Sequence, residues 1–208
     1  MQIDDIMHAA SVIPVLEVAD LETAAPLAKA LAAGGLRVVE LTLRTACALD
    51  ALGAMREAAP ELVVGMGTVR AEEDVARSLD AGAAFLVSPG ADAGLLAALA
   101  RSGAPVLPGV ATASEAMAVA AAGLSAMKFF PAEPAGGVPY LKSLAGPLPG
   151  LVFCPTGGIS ADRAPDYLAL PNVACVGGSW IATRAMIQNG DWDGVTENAR
   201  RAAGMKTA

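Results

Sequence analysis

Eight times along this chain a short run of β-branched and apolar residues gives way to an alanine-rich one. No composition break or long linker interrupts the alternation. The strand candidates are VIPVLEV (12–18), VVELTLR (38–44), VVGMGTV (63–69), FLVSPG (85–90), PVLPGV (105–110), AMKFFPA (126–132), VFCPTGG (152–158) and ACVGGSW (174–180). Between them, stretches such as LETAAPLAKALAAGG and AEEDVARSLDAGA carry helix formers, apolar residues at helical spacing and a glycine at the end. Strand starts recur every ~20–26 residues, a period that accommodates one strand, one helix and two short loops. Such units imply parallel strands joined by right-handed crossovers. Eight of them closing on themselves predict an α/β fold, a TIM (β/α)8 barrel with a short N-terminal helix, as one domain over residues 1–208. An open doubly wound sheet is the rival. It opens with a glycine fingerprint after its first strand, whereas ADLETA at that place has no glycine.

Composition narrows the function. Hydrophobic residues make up 54% of the chain and charged residues 17%, enough apolar material for a large core. Aromatics are only 4%, so that core is built from small and branched side chains. A net charge of −7 gives no electrostatic reason to bind nucleic acid, and no basic amphipathic stretch suggests a membrane surface. MQIDDIMHAA lacks the features of a secretory signal, and no apolar stretch reaches the ~18 residues that span a bilayer. A soluble cytoplasmic protein is expected. Cys47, Cys154 and Cys175 are irregularly spaced and fit neither a disulfide framework nor a metal motif, so reduced, mostly buried thiols are expected. The one histidine, His8, falls on the N-terminal helix pattern, at the surface. Neither a histidine-based triad nor a multi-histidine metal site follows.

Active sites of such barrels sit at the C-terminal ends of the strands. Period-two alternation along VVELTLR puts Val38, Glu40, Thr42 and Arg44 on one face and Val39, Leu41 and Leu43 on the other. The inward face then carries a carboxylate in mid-strand and a guanidinium at the rim. One reading is a structural ion pair. The other gives them separate tasks, Glu40 moving protons and Arg44 gripping an anionic group by bidentate hydrogen bonds. In AMKFFPA, Lys128 and Phe130 share a face opposite Met127 and Phe129. Lys128 either lifts its amine into solvent on a flexible stem or serves as a nucleophile. A nearby cation and low polarity would both favour the neutral amine. Glycine turns follow the seventh and eighth strands, TGGIS (156–160) and GGSW (177–180). Barrel enzymes often hold a phosphate there on backbone N–H groups, which marks Gly157, Gly158, Gly177, Gly178 and the Ser179 hydroxyl as contacts.

VVELTLRT, GMGTV, VSPG, PVLPGVAT, MKFFPAE, CPTGGIS and VGGSW, in this order, resemble the 2-keto-3-deoxy-6-phosphogluconate (KDPG) aldolases of the Entner–Doudoroff pathway, in the KDPG/KHG aldolase family. The resemblance runs from about residue 12 to about residue 203. It implies a class I aldolase, without cofactor or metal, that cleaves the phosphorylated keto-deoxy sugar acid to pyruvate and glyceraldehyde 3-phosphate. It also implies a homotrimer and a side activity on 4-hydroxy-2-oxoglutarate. By the resemblance, Lys128 is the Schiff-base lysine, Glu40 the general acid/base and Arg44 a ligand of the pyruvate carboxylate. Thr68 helps to hold the pyruvyl portion, Thr156 lies near the C4 hydroxyl, and Pro89 and Phe130 wall the pocket. Threonine at 156 goes with the gluconate epimer, whereas relatives selective for the galactonate epimer tend to carry valine. Glu17 departs from the pattern, since relatives more often have an apolar residue or an arginine there. It is expected as a solvated rim residue; turned inward, it would oppose anionic substrates. The alternatives are an aldolase for the galactonate epimer, a phosphosugar isomerase or synthase on the same barrel, or a phosphosugar sensor without turnover.

Overall fold

A computed structural model of the protein describes residues 1–205. Its strands are β1 (Val12–Leu16), β2 (Val38–Thr42), β3 (Val63–Gly67), β4 (Leu86–Val87), β5 (Val106–Leu107), β6 (Gly109–Val110), β7 (Ala126–Phe129), β8 (Val152–Pro155) and β9 (Val176–Gly178). The helices are α1 (Ile3–His8), α2 (Ala24–Ala33), α3 (Ala48–Ala58), α4 (Glu72–Asp80), α5 (Ala93–Arg101), α6 (Ala113–Ala121), α7 (Gly137–Leu144), α8 (Ala164–Leu168), α9 (Arg184–Asn189) and α10 (Trp192–Ala203). All strand pairs are parallel. One run of neighbours is β5-β4-β3-β2-β1-β9 and the other is β6-β7-β8. Bridges from Phe153 to Val173 and from Thr156 to Gly177 join β8 to the segment of β9 and close the ring. The eightfold alternation in the sequence is thus an eight-stranded barrel. Its fifth strand is split into β5 and β6 at Pro108, which has no N–H for the ladder but still accepts from the Lys128 N–H at 2.9 Å.

Alternation sorts the side chains into two layers. Val39 and Leu41 of β2, with Met127 and Phe129 of β7, pack outward in the core beneath the helices. Ile13, Val38, Val87, Leu107, Ala126 and Cys154 face inward. Helix α1 closes the N-terminal end of the barrel by inserting Ile6 and Met7 into this inner cluster, while His8 stays exposed. Phe85 fills the lower interior because β3 offers Gly65 there; a Cβ at Gly65 would strike the ring. Burying that ring stabilises the fold by roughly 1.5–3 kcal/mol. Cys154 and Cys175 lie together in the same interior. The Cys175 thiol is held well above its ordinary range by its hydrogen bond with Cys154, by burial and by the nearby Glu40 charge. Cys47 is a half-buried free thiol.

Most of the apolar runs outlast their strands. VVELTLR ends as a strand at Thr42, not Arg44, and AMKFFPA at Phe129, not Ala132. Beyond the last ladder bond the backbone turns: the Arg44 N–H bonds the Thr42 carbonyl at 2.8 Å, and Pro131 has no N–H to continue a ladder. Among the described residues no helix is long and apolar enough to cross a membrane, and no three His, Cys, Asp or Glu side chains gather as a metal site.

Candidate active site

Glu40 in mid-β2 and Lys128 in mid-β7 both point into the barrel and meet near its C-terminal end. Lys128 Nζ lies 2.9 Å from Glu40 Oε1 and 3.2 Å from Oε2, a charge-assisted bond with both residues almost out of solvent, 5% and 4% exposed. The amine also sits 5.4 Å from the centroid of the Phe130 ring. Sequence reasoning expected both a glutamate and a cation within reach of the lysine. The structure puts the glutamate in direct contact, while Arg44 lies past the end of β2, in the turn that follows. Gly67 makes the pairing possible: a Cβ on it would collide with the Glu40 carboxylate, so the bare backbone of β3 leaves the room that Glu40 occupies. A proton can pass along the 2.9 Å bond between amine and carboxylate, which provides a neutral amine and an acid side by side.

Arg44 reaches the barrel mouth from the turn after β2, not from the strand face that alternation assigned to it. Its Nε donates to Thr68 Oγ1 at 3.2 Å. Thr68 is the one described non-glycine residue in the left-handed region, at φ 61°. A β-branched residue there costs of order 1–3 kcal/mol, and such strain is characteristic of sites whose surroundings hold a side chain in one direction. Here that direction is towards Arg44. Glu17, just beyond β1, is neither a solvated rim residue nor an unpaired inward carboxylate. Its largely buried side chain forms an ion pair with Arg184 at 2.6 Å and lies 3.9 Å from Arg44.

Above the lysine–glutamate pair opens a cleft of about 240 Å³ lined by Arg44, Phe130, Thr156, Gly157, Gly158, Gly177 and Ser179, with Val15 and Ile159. Gly157 and Gly158 adopt φ of 105° and 81°, and a side chain on them would press on Phe130 and Glu133. Gly177 leaves space for the Thr156 side chain, which a Cβ would strike. Three expected contacts lie outside the cleft lining, as do Lys128 and Glu40 beneath it: Thr68 reaches the mouth only through Arg44, and the other two are turned away. Gly178 faces the Trp180 ring, and Pro89 is pressed through its backbone against Gly109, so that neither borders the opening. Glu133 ties the lysine strand's loop to the glycine turn: its N–H bonds the Gly157 carbonyl at 3.1 Å, and its carboxylate accepts the Tyr167 hydroxyl at 2.7 Å. Burial, then that bond, push the Tyr167 phenol above its ordinary range.

Sequence reasoning missed Gly67 and Arg184. The first was legible, since alternation along VVGMG puts Gly67 on the inward face. The second was not, because Arg184 lies beyond the last strand on a helix whose approach to Glu17 only the closed barrel creates.

Comparison with known proteins points the same way as the geometry. The sequence profile of the KDPG and KHG aldolase family matches residues 3–198. The KHG/KDPG aldolase of Escherichia coli (strain K12) is 47% identical over 199 residues, 96% of this chain and 93% of its own. The crystal structure of 2-keto-3-deoxy-6-phosphogluconate aldolase from Zymomonas mobilis ATCC 29191 superposes with a TM-score of 0.96 at 45% identity, covering 100% of this chain and 99% of that one. A KDPG aldolase from Legionella pneumophila, solved with pyruvate captured at low pH as a covalent carbinolamine, superposes at 0.95 with 44% identity, covering 98% and 99%. Such coverage and identity, on a barrel with an inward lysine and glutamate, leave one conclusion: the chain belongs to the KDPG/KHG aldolase family.

Proposed function

We propose that this protein is a lyase, a class I aldolase that cleaves KDPG to pyruvate and glyceraldehyde 3-phosphate through a Schiff base on Lys128, with 4-hydroxy-2-oxoglutarate as a side substrate. The observation that carries the proposal is the buried amine of Lys128, 2.9 Å from Glu40, beneath a cleft with a guanidinium at its mouth. Glu40 takes a proton from the amine, which attacks the C2 ketone. The acid then helps to expel water from the carbinolamine. The resulting iminium draws electrons from C3. Glu40, left as a carboxylate once water is expelled, takes the C4 hydroxyl proton, and the C3–C4 bond breaks, leaving the aldehyde and an enamine. Glu40 protonates that enamine at C3, and water hydrolyses the pyruvyl imine to free the lysine. Because the iminium stabilises the developing charge, the reaction calls for neither metal nor cofactor.

Arg44, oriented by Thr68, grips the substrate carboxylate. Thr156 meets the C4 hydroxyl and Phe130 walls the pocket. The turn of Gly157 and Gly158, with Gly177 and Ser179, receives the phosphate. The ligands are small molecules, with no role for nucleic acid or membrane. One barrel domain over residues 1–208 carries the activity, and a cytoplasmic homotrimer serving the Entner–Doudoroff route completes the proposal.

Lys128→Ala should abolish both cleavage and the adduct that borohydride traps with pyruvate, while the parent's activity survives EDTA. An adduct on Lys29 or Lys142, or activity lost to the chelator, would overturn the assignment.

A further inference from the structure

Two guanidiniums share one carboxylate at the barrel mouth, and they share it unequally. Glu17 Oε1 forms an ion pair with Arg184 Nη2 at 2.6 Å, whereas Oε2 stands 3.9 Å from Arg44 Nη1, beyond hydrogen-bond reach. Glu17 is largely withdrawn from water, at 17% side-chain exposure, so its charge needs a partner. Arg184 is 70% exposed and opens α9, whose first turn is capped by the Thr183 hydroxyl accepting the Met186 N–H at 3.3 Å. A second cleft of about 270 Å³ shares Val15, Arg44 and Ser179 with the active-site cleft, and Glu17 and Arg184 help to line it. The ion pair therefore borders the entrance but touches neither Lys128 nor Glu40.

Among the described residues the Arg44 side chain makes one hydrogen bond, from Nε to Thr68, and it lines both clefts. Removing Arg184 would leave Arg44 as the nearest cation to Glu17. A shift of about 1 Å would bring the carboxylate into contact with Arg44. It would then occupy the donors that a substrate carboxylate needs. We infer that Arg184 is a positioning residue that holds Glu17 off Arg44 and so keeps Arg44 open to the carboxylate of the incoming keto acid. The inference rests on the Schiff-base reading, in which Arg44 grips that carboxylate. Every 2-keto acid carries the same carboxylate, so the effect is uniform across substrates. A phosphate ligand at the same place would instead discriminate phosphorylated from unphosphorylated ones.

The test is a cycle of Arg184→Ala, Arg184→Lys, Glu17→Gln and the Glu17→Gln/Arg184→Ala double variant. KM and kcat are measured with KDPG and with 4-hydroxy-2-oxoglutarate, and the half-saturating pyruvate concentration in borohydride trapping. Arg184→Ala should raise all three concentrations about tenfold with kcat little changed, the size expected when one partly screened charge moves to contact. Arg184→Lys keeps a cation on Glu17 and should stay within about threefold of the parent. The double variant should return to within about threefold as well, because the competing charge is gone. Three results would each overturn the inference: a rise confined to KDPG, which makes Arg184 a phosphate ligand; no rise; or no recovery in the double variant. Failure of the aldolase reading is recognised separately, since the parent protein itself would then form no pyruvate adduct at Lys128.

Discussion

Gly67→Ala should disable the active site without touching any group that reacts. Gly67 lies in β3 with ordinary strand backbone angles, so alanine meets no conformational penalty there; the difficulty is space. The new methyl would lie 2.6 Å from Glu40 Cγ and 2.7 Å from Cδ, with Oε1 closer still, whereas carbon contacts relax only near 3.5 Å. The carboxylate must therefore retreat by about 1 Å or more. Such a shift stretches the 2.9 Å bond to Lys128 Nζ past hydrogen-bonding range. Two consequences follow, with different magnitudes. Leaving one member of a buried pair without its partner costs about 3–5 kcal/mol when the charge stays buried. Displacing the acid/base from the amine lowers turnover by about 10²–10⁴-fold. Pyruvate release gives the second quantity and chemical denaturation the first. Gly65→Ala is the control, since its methyl meets Phe85 instead of Glu40. It should lose stability while the folded fraction keeps its turnover. If Gly67→Ala retains both the stability and the turnover of the parent, Glu40 does not depend on that gap, and the account of the pair's geometry is wrong.

Two further substitutions probe specificity and acid stability. Thr156 Oγ1 has two long contacts, 3.4 Å to the Cys154 carbonyl and 3.9 Å to the Cys154 sulfur, so its hydroxyl is available to a ligand. Thr156→Val should reduce the kcat/KM preference for the gluconate over the galactonate epimer by about fivefold, the equivalent of one hydrogen bond near 1 kcal/mol; an unchanged ratio would place C4 selectivity on other groups. Glu115 caps α6, accepting from the Ala111 and Thr112 N–H groups at 2.7 and 2.8 Å, and the Ala111 bond leads in holding its carboxyl below the ordinary 4.5. Because the folded-state value is depressed, its contribution is present above pH 4.5 and is lost as pH falls through the lowered value. Gln still completes the capping box and the lost charge is screened by solvent, so Glu115→Gln should cost only about 0.3–0.5 kcal/mol near neutrality, with the two proteins' melting temperatures converging in more acid solution; a constant gap at every pH would refute the charge-assisted cap.

How much of this was legible in the sequence depends on whether the information was local. Alternation is local: it placed Glu40 and Lys128 inward and Val39, Leu41, Met127 and Phe129 outward, and the core follows that division. Strand ends are decided by neighbours. Arg44 left the face assigned to it because the chain turns after Thr42, and the apolar letters of Leu43 carry no trace of that turn. That Glu40 could serve Lys128 was legible from the shared inward face; the direct 2.9 Å contact was not, since it spans 88 residues and depends on a gap left by a third strand. Glu17 shows the same limit. The sequence placed it at the rim, but the cation that neutralises it lies on a helix beyond the final strand.

The two ends of the barrel interior answer to opposite demands. At the N-terminal end, Ile6, Met7 and Phe85 fill the space with apolar atoms that need no partners. At the C-terminal end, β3 offers only the bare backbone of Gly67 to the interior, so that a lysine and a glutamate can meet. Apolar residues of similar volume in place of such a pair are often neutral or stabilising by about 1–4 kcal/mol. Stability alone therefore gives no reason to keep it. Helix α1 makes this division possible: by placing Ile6 and Met7 in the far end it lets a short barrel hold an ionic pair close to its mouth above an apolar core.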